Sequence, residues 1–235
     1  MFDITQADSR REWVDNRPVD LVWTDPPFGT GKLQSQGGLS YQDYEVKQAI
    51  DAVVRAIDLI PKSSKCVLAV LMDYRAVHHV CVELADRYEF LGEIVWSFGL
   101  GRPRQSWWPV KHNTILTFAA GPDARFDPSA NPRVERLAPK PGYPSDKSAG
   151  SVWDKTLSNT DPERVGFPNQ KPLAIIEPFI EAHTEIGDLV ADPFCGSGSV
   201  GHAAISLGRN FVGQDLFIEA VRTTRQRLSE VDGSI

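Results

Sequence analysis

Leu189-Val190-Ala191-Asp192-Pro193-Phe194-Cys195-Gly196-Ser197-Gly198-Ser199 joins a short apolar run to the start of a helical pattern through a loop holding two glycines. The run has the length of a buried parallel strand, and apolar residues from Ser199 to Leu207 continue at helical spacing. Gly196 and Gly198 permit positive φ and let a ligand approach the main chain, while N–H groups at the helix start can hold a carboxylate or phosphate. Asn210 to Gly213 reads as the next strand. Asp215 beyond it is placed to accept hydrogen bonds from the two hydroxyls of a ribose. The dinucleotide fingerprint needs a third glycine further into the helix, so the spacing suits an adenosine-containing ligand without a pyrophosphate.

Outward from this loop, strands and helices alternate. Val19 to Thr24 reads as a buried strand that stops at Pro26-Pro27. Val46, Ala49, Ile50, Val53, Val54, Ile57 and Ile60 fall at helical spacing, and Pro61 ends the pattern. Cys66 to Leu71 predicts a buried strand, Tyr74 to Tyr88 a helix, and Phe90 to Trp96 and Thr114 to Ala119 two further strands. Helices are expected over Pro172 to His183 and Ile218 to Val231, with a strand over Asp188 to Ala191. Gly29 to Gln42 shows no periodicity. Prolines at 122, 128, 132, 139, 141, 144, 162 and 168 break any regular element between Gly121 and Pro168, where too little apolar sequence remains for a second core. The expected architecture is a doubly wound α/β sheet, mostly parallel, with a loop-rich insertion; ligands bind beyond the carboxyl ends of its strands.

The end of the first buried strand carries a second signal. In Asp25-Pro26-Pro27-Phe28 the prolines fix the backbone and remove two N–H donors, so a carboxylate stands beside rigid carbonyls and an aromatic ring. Two acceptors can take the hydrogens of an exocyclic amine while its planar ring stacks on Phe28. The lone pair of such an amine is delocalised into the ring. Binding both hydrogens favours the pyramidal form, which frees the lone pair to attack a sulfonium methyl; that is selective binding of the transition state.

Composition narrows the field. The chain has 235 residues, 41% apolar and 24% charged, ordinary for one sizeable domain. Cys66, Cys81 and Cys195 lie far apart, His78 and His79 sit in a predicted helix, and His183 and His202 stand alone, so no metal site is expected. No apolar run reaches membrane-spanning length and the start lacks a signal-peptide pattern, so a cytoplasmic protein is expected. The formal charge of −6 excludes a uniformly basic coat. Yet Ser97 to Lys147 holds eight basic against four acidic residues. Within it, Arg102, Arg104, Trp107, Trp108 and Lys111 interleave cations and aromatics, a pattern that can contact phosphates and stack on an extruded base.

Together these segments resemble the permuted, β-type DNA amino-methyltransferases over nearly the whole chain. Asp25-Pro26-Pro27-Phe28-Gly29 matches the family's catalytic motif, and Asp192-Pro193-Phe194-Cys195-Gly196-Ser197-Gly198 its cofactor loop. Asn169-Gln170-Lys171-Pro172 resembles the segment that holds the cofactor's methionine end. Gln6-Ala7-Asp8 resembles the acidic motif that meets its adenine, and Arg209 to Gln226 resembles the closing strand and helix with Asp215 as ribose acid. Catalytic half first and cofactor half last is the β-type order. The sequence departs from the family pattern at Phe28, usually a tyrosine, and at Phe167 and Asn169, more often His and Thr.

The resemblance implies S-adenosylmethionine as cofactor, held by Asp8, Asp25, Lys171, Asp192, Phe194, Cys195, Gly196, Ser197, Gly198, Ser199 and Asp215, and DNA as partner. It implies a catalytic half over 1–120, a target-recognition insertion over 121–168 and a cofactor half over 169–235. It also suggests a homodimer and a cognate restriction nuclease. A leading Asp is commoner with adenine N6 as target and Ser with cytosine N4. RNA, a protein glutamine amide and a non-catalytic DNA-binding relic are the other readings.

Overall fold

A computed structural model of the chain describes residues 1–36, 39–99, 108–138, 141–158 and 160–233. The chain opens with β1 (Phe2–Gln6) and β2 (Val19–Thr24), then a two-stranded ribbon of β3 (Leu33–Gln36) and β4 (Leu39–Gln42). Next come α1 (Val46–Leu59), β5 (Lys62–Met72), α2 (Val77–Ala85), β6 (Glu89–Ser97) and β7 (His112–Ala119). A second ribbon, β8 (Arg133–Glu135) with β9 (Asp146–Ser148), precedes β10 (Val152–Asp154) and α3 (Glu177–His183). The chain closes with β11 (Leu189–Asp192), α4 (Ser199–Ser206), β12 (Asn210–Asp215) and α5 (Ile218–Asp232).

Eight strands form the central sheet in the order β1-β12-β11-β2-β5-β7-β6-β10; β7 runs antiparallel to both neighbours and the other pairs are parallel. The doubly wound expectation is met. Cys66 to Met72 is wholly buried because both faces of β5 are covered, which is why it reads as an unbroken apolar run. Trp23, Leu71 and Ile115 pack under α3, α4 and α5, while Val22, Leu68 and Val70 pack under α1 and α2. From β2 the chain builds one side of the sheet and returns at β11 to build the other. The β2–β11 boundary is therefore the switch point where a crevice opens. No helix among the described residues is long and apolar enough to cross a membrane.

Several segments differ from the sequence expectation. The aperiodic stretch after Gly29 forms the β3–β4 ribbon, held by backbone pairing that apolar periodicity does not report. The helix expected over Pro172 to His183 splits into a 3-10 turn, Leu173–Ile175, and α3. Pro178 lies in the first turn of α3, where a missing N–H costs nothing. The proline-rich segment is tied to the main sheet, since β10 pairs with β6 and Trp153 is buried with its ring 5.4 Å from that of Phe179.

Candidate active site

A cleft of about 510 Å³ lies over the carboxyl ends of the central strands, lined from Asp215 and Phe217 at one end through Asp25 to Trp96 and Leu157 at the other. Of the residues expected to hold a cofactor, all except Gly198 line it. Gly198 caps α4 at φ 73°, and a Cβ there would meet Thr224 at 3.0 Å, so it shapes the loop rather than facing the cleft.

On the β11–β12 side the carboxylates are already engaged. Asp215 accepts from Gly196 N–H and Phe217 N–H, each at 3.0 Å, and burial raises its pKa. Asp192 is 2% exposed and turned inward: its Oδ1 accepts from Thr24 Oγ1 at 2.7 Å and Phe194 N–H at 3.0 Å. Burial pushes that carboxyl up to about 7. Asp192 thus bolts the glycine loop to the end of β2. The Ser199 hydroxyl donates to Lys171 O at 3.0 Å and accepts from Arg227 Nη1 at 3.0 Å, and Arg227 Nη1 also lies 3.1 Å from Ser197 O. Arg227, 4% exposed on α5 and lowered by burial to about 10, is a residue the sequence reading missed; an arginine on a helix carries no signal of its burial. The carboxylate of Asp8 lies in the cleft with hydrogen bonds from Arg10 Nε at 2.8 Å and Nη2 at 2.7 Å, which hold its pKa below the ordinary range.

This side suits an adenosine with an amino-acid tail. Asp215 keeps lone pairs beyond its two backbone donors, and Phe194, Leu216 and Phe217 supply apolar walls, while the N–H groups of Phe194, Cys195, Gly196 and Gly198 are already engaged within the protein.

At the centre, Asp25 leaves β2 directly before buried Pro26. Its Oδ2 accepts a hydrogen bond from Lys171 Nζ, which also donates to Asn169 O at 2.8 Å and sits 5.2 Å from the Phe28 ring centroid. Its Oδ1 is buried with no partner among the described residues. Burial raises the Asp25 pKa, against the lowering effect of Lys171. The following turn is enforced by Gly29 at φ 72°, where a Cβ would lie 2.6 Å from Val46 Cα. Asp43, 6% exposed, accepts from the N–H groups of Gly29 at 3.3 Å, Thr30 at 2.9 Å and Tyr44 at 2.8 Å. Asp43, directly after the stretch without periodicity, gave no sign of this in the sequence.

Beyond Asp25 the cleft continues over β5, β7 and β6, lined by Asp73, Arg75, Asn113, Trp96 and Phe98. Sequence reading gave none of these a site role, although Asn113 stands out as a polar residue at an inward position of an apolar strand. Of the residues expected to meet DNA, Arg102, Arg104 and Trp107 lie outside the described residues. Trp108 is 79% exposed, and Lys111 is exposed as well. Within the basic stretch, Arg133 pairs with Asp146 at 2.8 Å and Arg125 with Asp127 at 3.4 Å, so part of its charge is internally paired.

Known proteins resemble this chain in sequence and fold. The N6/N4 methyltransferase family, described as DNA methylase, matches residues 19–226. The chain belongs to that family. Like other N6/N4 DNA methyltransferases, it is an enzyme that takes its methyl group from S-adenosylmethionine and delivers it to DNA. Its curated relatives include the type II methyltransferase M.HpaI of Haemophilus parainfluenzae, 25% identical over 230 residues, covering 94% of this chain and 71% of that one. The DNA adenine methyltransferase YhdJ of Escherichia coli is 25% identical over 227 residues, covering 89% and 76%. The crystal structure of the M1.HpyAVI–SAM complex superimposes with a TM-score of 0.65 at 22% identity, covering 97% of this chain and 100% of that one. It supports the methyltransferase fold. The N6/N4 family spans two target amines, so membership alone does not choose the base.

Proposed function

We propose that the target is the exocyclic N6 amine of an adenine turned out of the DNA duplex. The observation that carries the reading is the unpartnered Asp25 Oδ1, a buried acceptor in a rigid turn, with the other carboxylate oxygen held by Lys171. One amine hydrogen bonds to Asp25, the second to the Pro26 carbonyl, and the ring stacks on Phe28. S-adenosylmethionine, when bound, supplies an electrophilic methyl on a sulfonium. Asp25, Pro26 and Phe28 bind and orient the amine, favour its pyramidal form and line up its lone pair. An aspartate rather than a serine at the head of the strip favours adenine over cytosine.

The cofactor is assigned to the β11–β12 side of the cleft, with Asp215 on the ribose hydroxyls and Lys171 toward the methionine carboxylate. Segment 121–168 is assigned to target recognition. Arg102, Arg104, Trp107, Trp108 and Lys111 are assigned to the DNA backbone and to the space left by the flipped base. A homodimer, a cognate restriction nuclease and a cytoplasmic location belong to the same proposal; the small insertion favours a second subunit, and the free Cys66, Cys81 and Cys195 suit a reducing compartment.

Expression in an unmethylated host, followed by sequencing with modification detection, is expected to show N6-methyladenine at one short sequence; N4-methylcytosine alone would overturn the base assignment. Asp25→Ala should lower methyl transfer by at least about a hundredfold, in line with loss of a positioned catalytic group, while calorimetry shows S-adenosylmethionine still bound. Full activity in that variant removes Asp25 from the mechanism.

A further inference from the structure

The part of the cleft beyond the Asp25 strip holds polar groups that the fold leaves without partners. Asp25 Oδ1 and Trp23 Nε1 are both buried and unpartnered among the described residues, and both side chains line the cleft. Asn113 is 8% exposed and lines the same cleft, and no hydrogen bond from the described residues reaches its carboxamide. Native proteins pair more than about nine in ten buried polar groups, so an unpaired one signals a missing partner. Two such atoms and a carboxamide that lines the same cavity without a hydrogen bond from the described residues mark the outline of a polar ligand.

Their placement says what kind of ligand. Asn113 pairs across to Trp96 on β6, and the next residue, Thr114, pairs with Met72 on β5. Alternation puts Asn113 on the same sheet face as Ile115, which packs with Trp23 and Leu71. That is also the face of Asp25, two residues beyond Trp23. The slot is walled by Trp96 and Phe98, whose ring centroids are 5.2 Å apart, and by Leu157. Neighbouring polar groups are committed elsewhere: Trp96 Nε1 donates to Lys155 O at 2.6 Å, and Asp73 accepts from Arg75 N–H at 2.9 Å and from its guanidinium. An aromatic-walled slot with one uncommitted carboxamide, two strands across the same cleft from an amine acceptor, fits the edge of a planar heteroaromatic ring.

We propose that Asn113 is a base-positioning residue whose amide N–H donates to a ring nitrogen of the target adenine, next to the amine held at Asp25. That bond fixes the rotation of the ring in the slot, so that the amine and no other edge faces the transferring group. Adenine offers two acceptors on either side of its amine, N1 and N7. The inference rests on the adenine reading above and names the group that orients the base within it.

The test is steady-state kinetics on duplex oligonucleotides that carry the methylation site, with the target as adenine, 1-deazaadenine or 7-deazaadenine. The wild-type enzyme is expected to lose about tenfold in kcat/KM on one deaza base, the one lacking the acceptor. Asn113→Ala should lose a similar factor on adenine and lose nothing further on that deaza base, with S-adenosylmethionine affinity unchanged by calorimetry. Asn113→Asp, which keeps the shape and removes the donor, should behave the same way and guards against a folding defect in the alanine variant. Losses that multiply, or full kcat/KM in both variants, would overturn the proposal. Absence of transfer to any adenine by the wild-type enzyme is a separate outcome that overturns the base assignment, and Asn113's role with it.

Discussion

The two ends of the cleft are built on opposite terms. On the β11–β12 side, polar groups are largely satisfied before any ligand arrives: Asp192 by Thr24 and Phe194, Asp215 by Gly196 and Phe217, Asp8 by Arg10. On the β2–β5–β7 side, Asp25 Oδ1 and Trp23 Nε1 find no partner among the described residues, and no hydrogen bond from them reaches the Asn113 carboxamide. The first pattern is that of a rigid mould, in which few hydrogen bonds reorganise on binding. The second stores unsatisfied groups that only the reacting base completes, so binding energy is released where it can act on the transition state. Lys171 sits on the seam, its backbone carbonyl bonded to Ser199 and its ammonium to Asp25.

Breaking the seam should have the largest effect beyond loss of Asp25 itself. Lys171→Met removes the cation facing a buried carboxylate and should lower kcat about tenfold to a hundredfold, as expected for loss of a charged hydrogen bond. It also carries a pH signature. Asp25 must be ionised to accept the amine hydrogens, burial already raises its pKa, and Lys171 opposes that rise. Activity is therefore lost as pH falls through the raised value, and the acid limb of the kcat profile should move to higher pH in Lys171→Met. An unmoved limb would separate Lys171 from the chemistry.

A smaller change tests the mould. Asp215→Ala should weaken S-adenosylmethionine binding about tenfold by calorimetry and leave kcat at saturating cofactor near the wild-type value, since the loop keeps its other anchors. A kcat loss as large as that of Lys171→Met would mean that the two sides are not separable. The smallest effect is expected at Asp192→Asn. The folded-state pKa of Asp192 is raised to about 7, so the folded chain holds that proton more tightly than the unfolded chain. Stability therefore declines as pH rises from the ordinary carboxylate range to about 7, and the neutral amide should flatten that part of the curve in denaturant titrations.

Sequence reasoning reached some parts of both sides and missed others. The glycine loop, Asp215 and the Asp25 strip were legible because each is a local pattern of backbone constraint: glycines where φ is positive, prolines where donors are removed, a carboxylate at a strand end. The sheet's parallel core was legible as well, in unbroken apolar runs such as Cys66 to Leu71. The β3–β4 ribbon was not, because backbone pairing carries it and the stretch has little apolar content. Nor was β10, whose three residues gain their place by adding to β6.

The residues alone determined the chemistry available: a carboxylate beside rigid carbonyls and a ring, and a glycine turn followed by an acid. Tertiary structure decided which of those groups are free to use it. It turned Asp192 inward, occupied Asp8 with Arg10, placed Lys171 on an aspartate 146 positions away and set Asn113 beside Trp96. The reason is physical. A local motif fixes its own φ and ψ and its donor count, whereas hydrogen-bond satisfaction depends on which strands lie side by side, and that order is set only when the whole sheet closes its core.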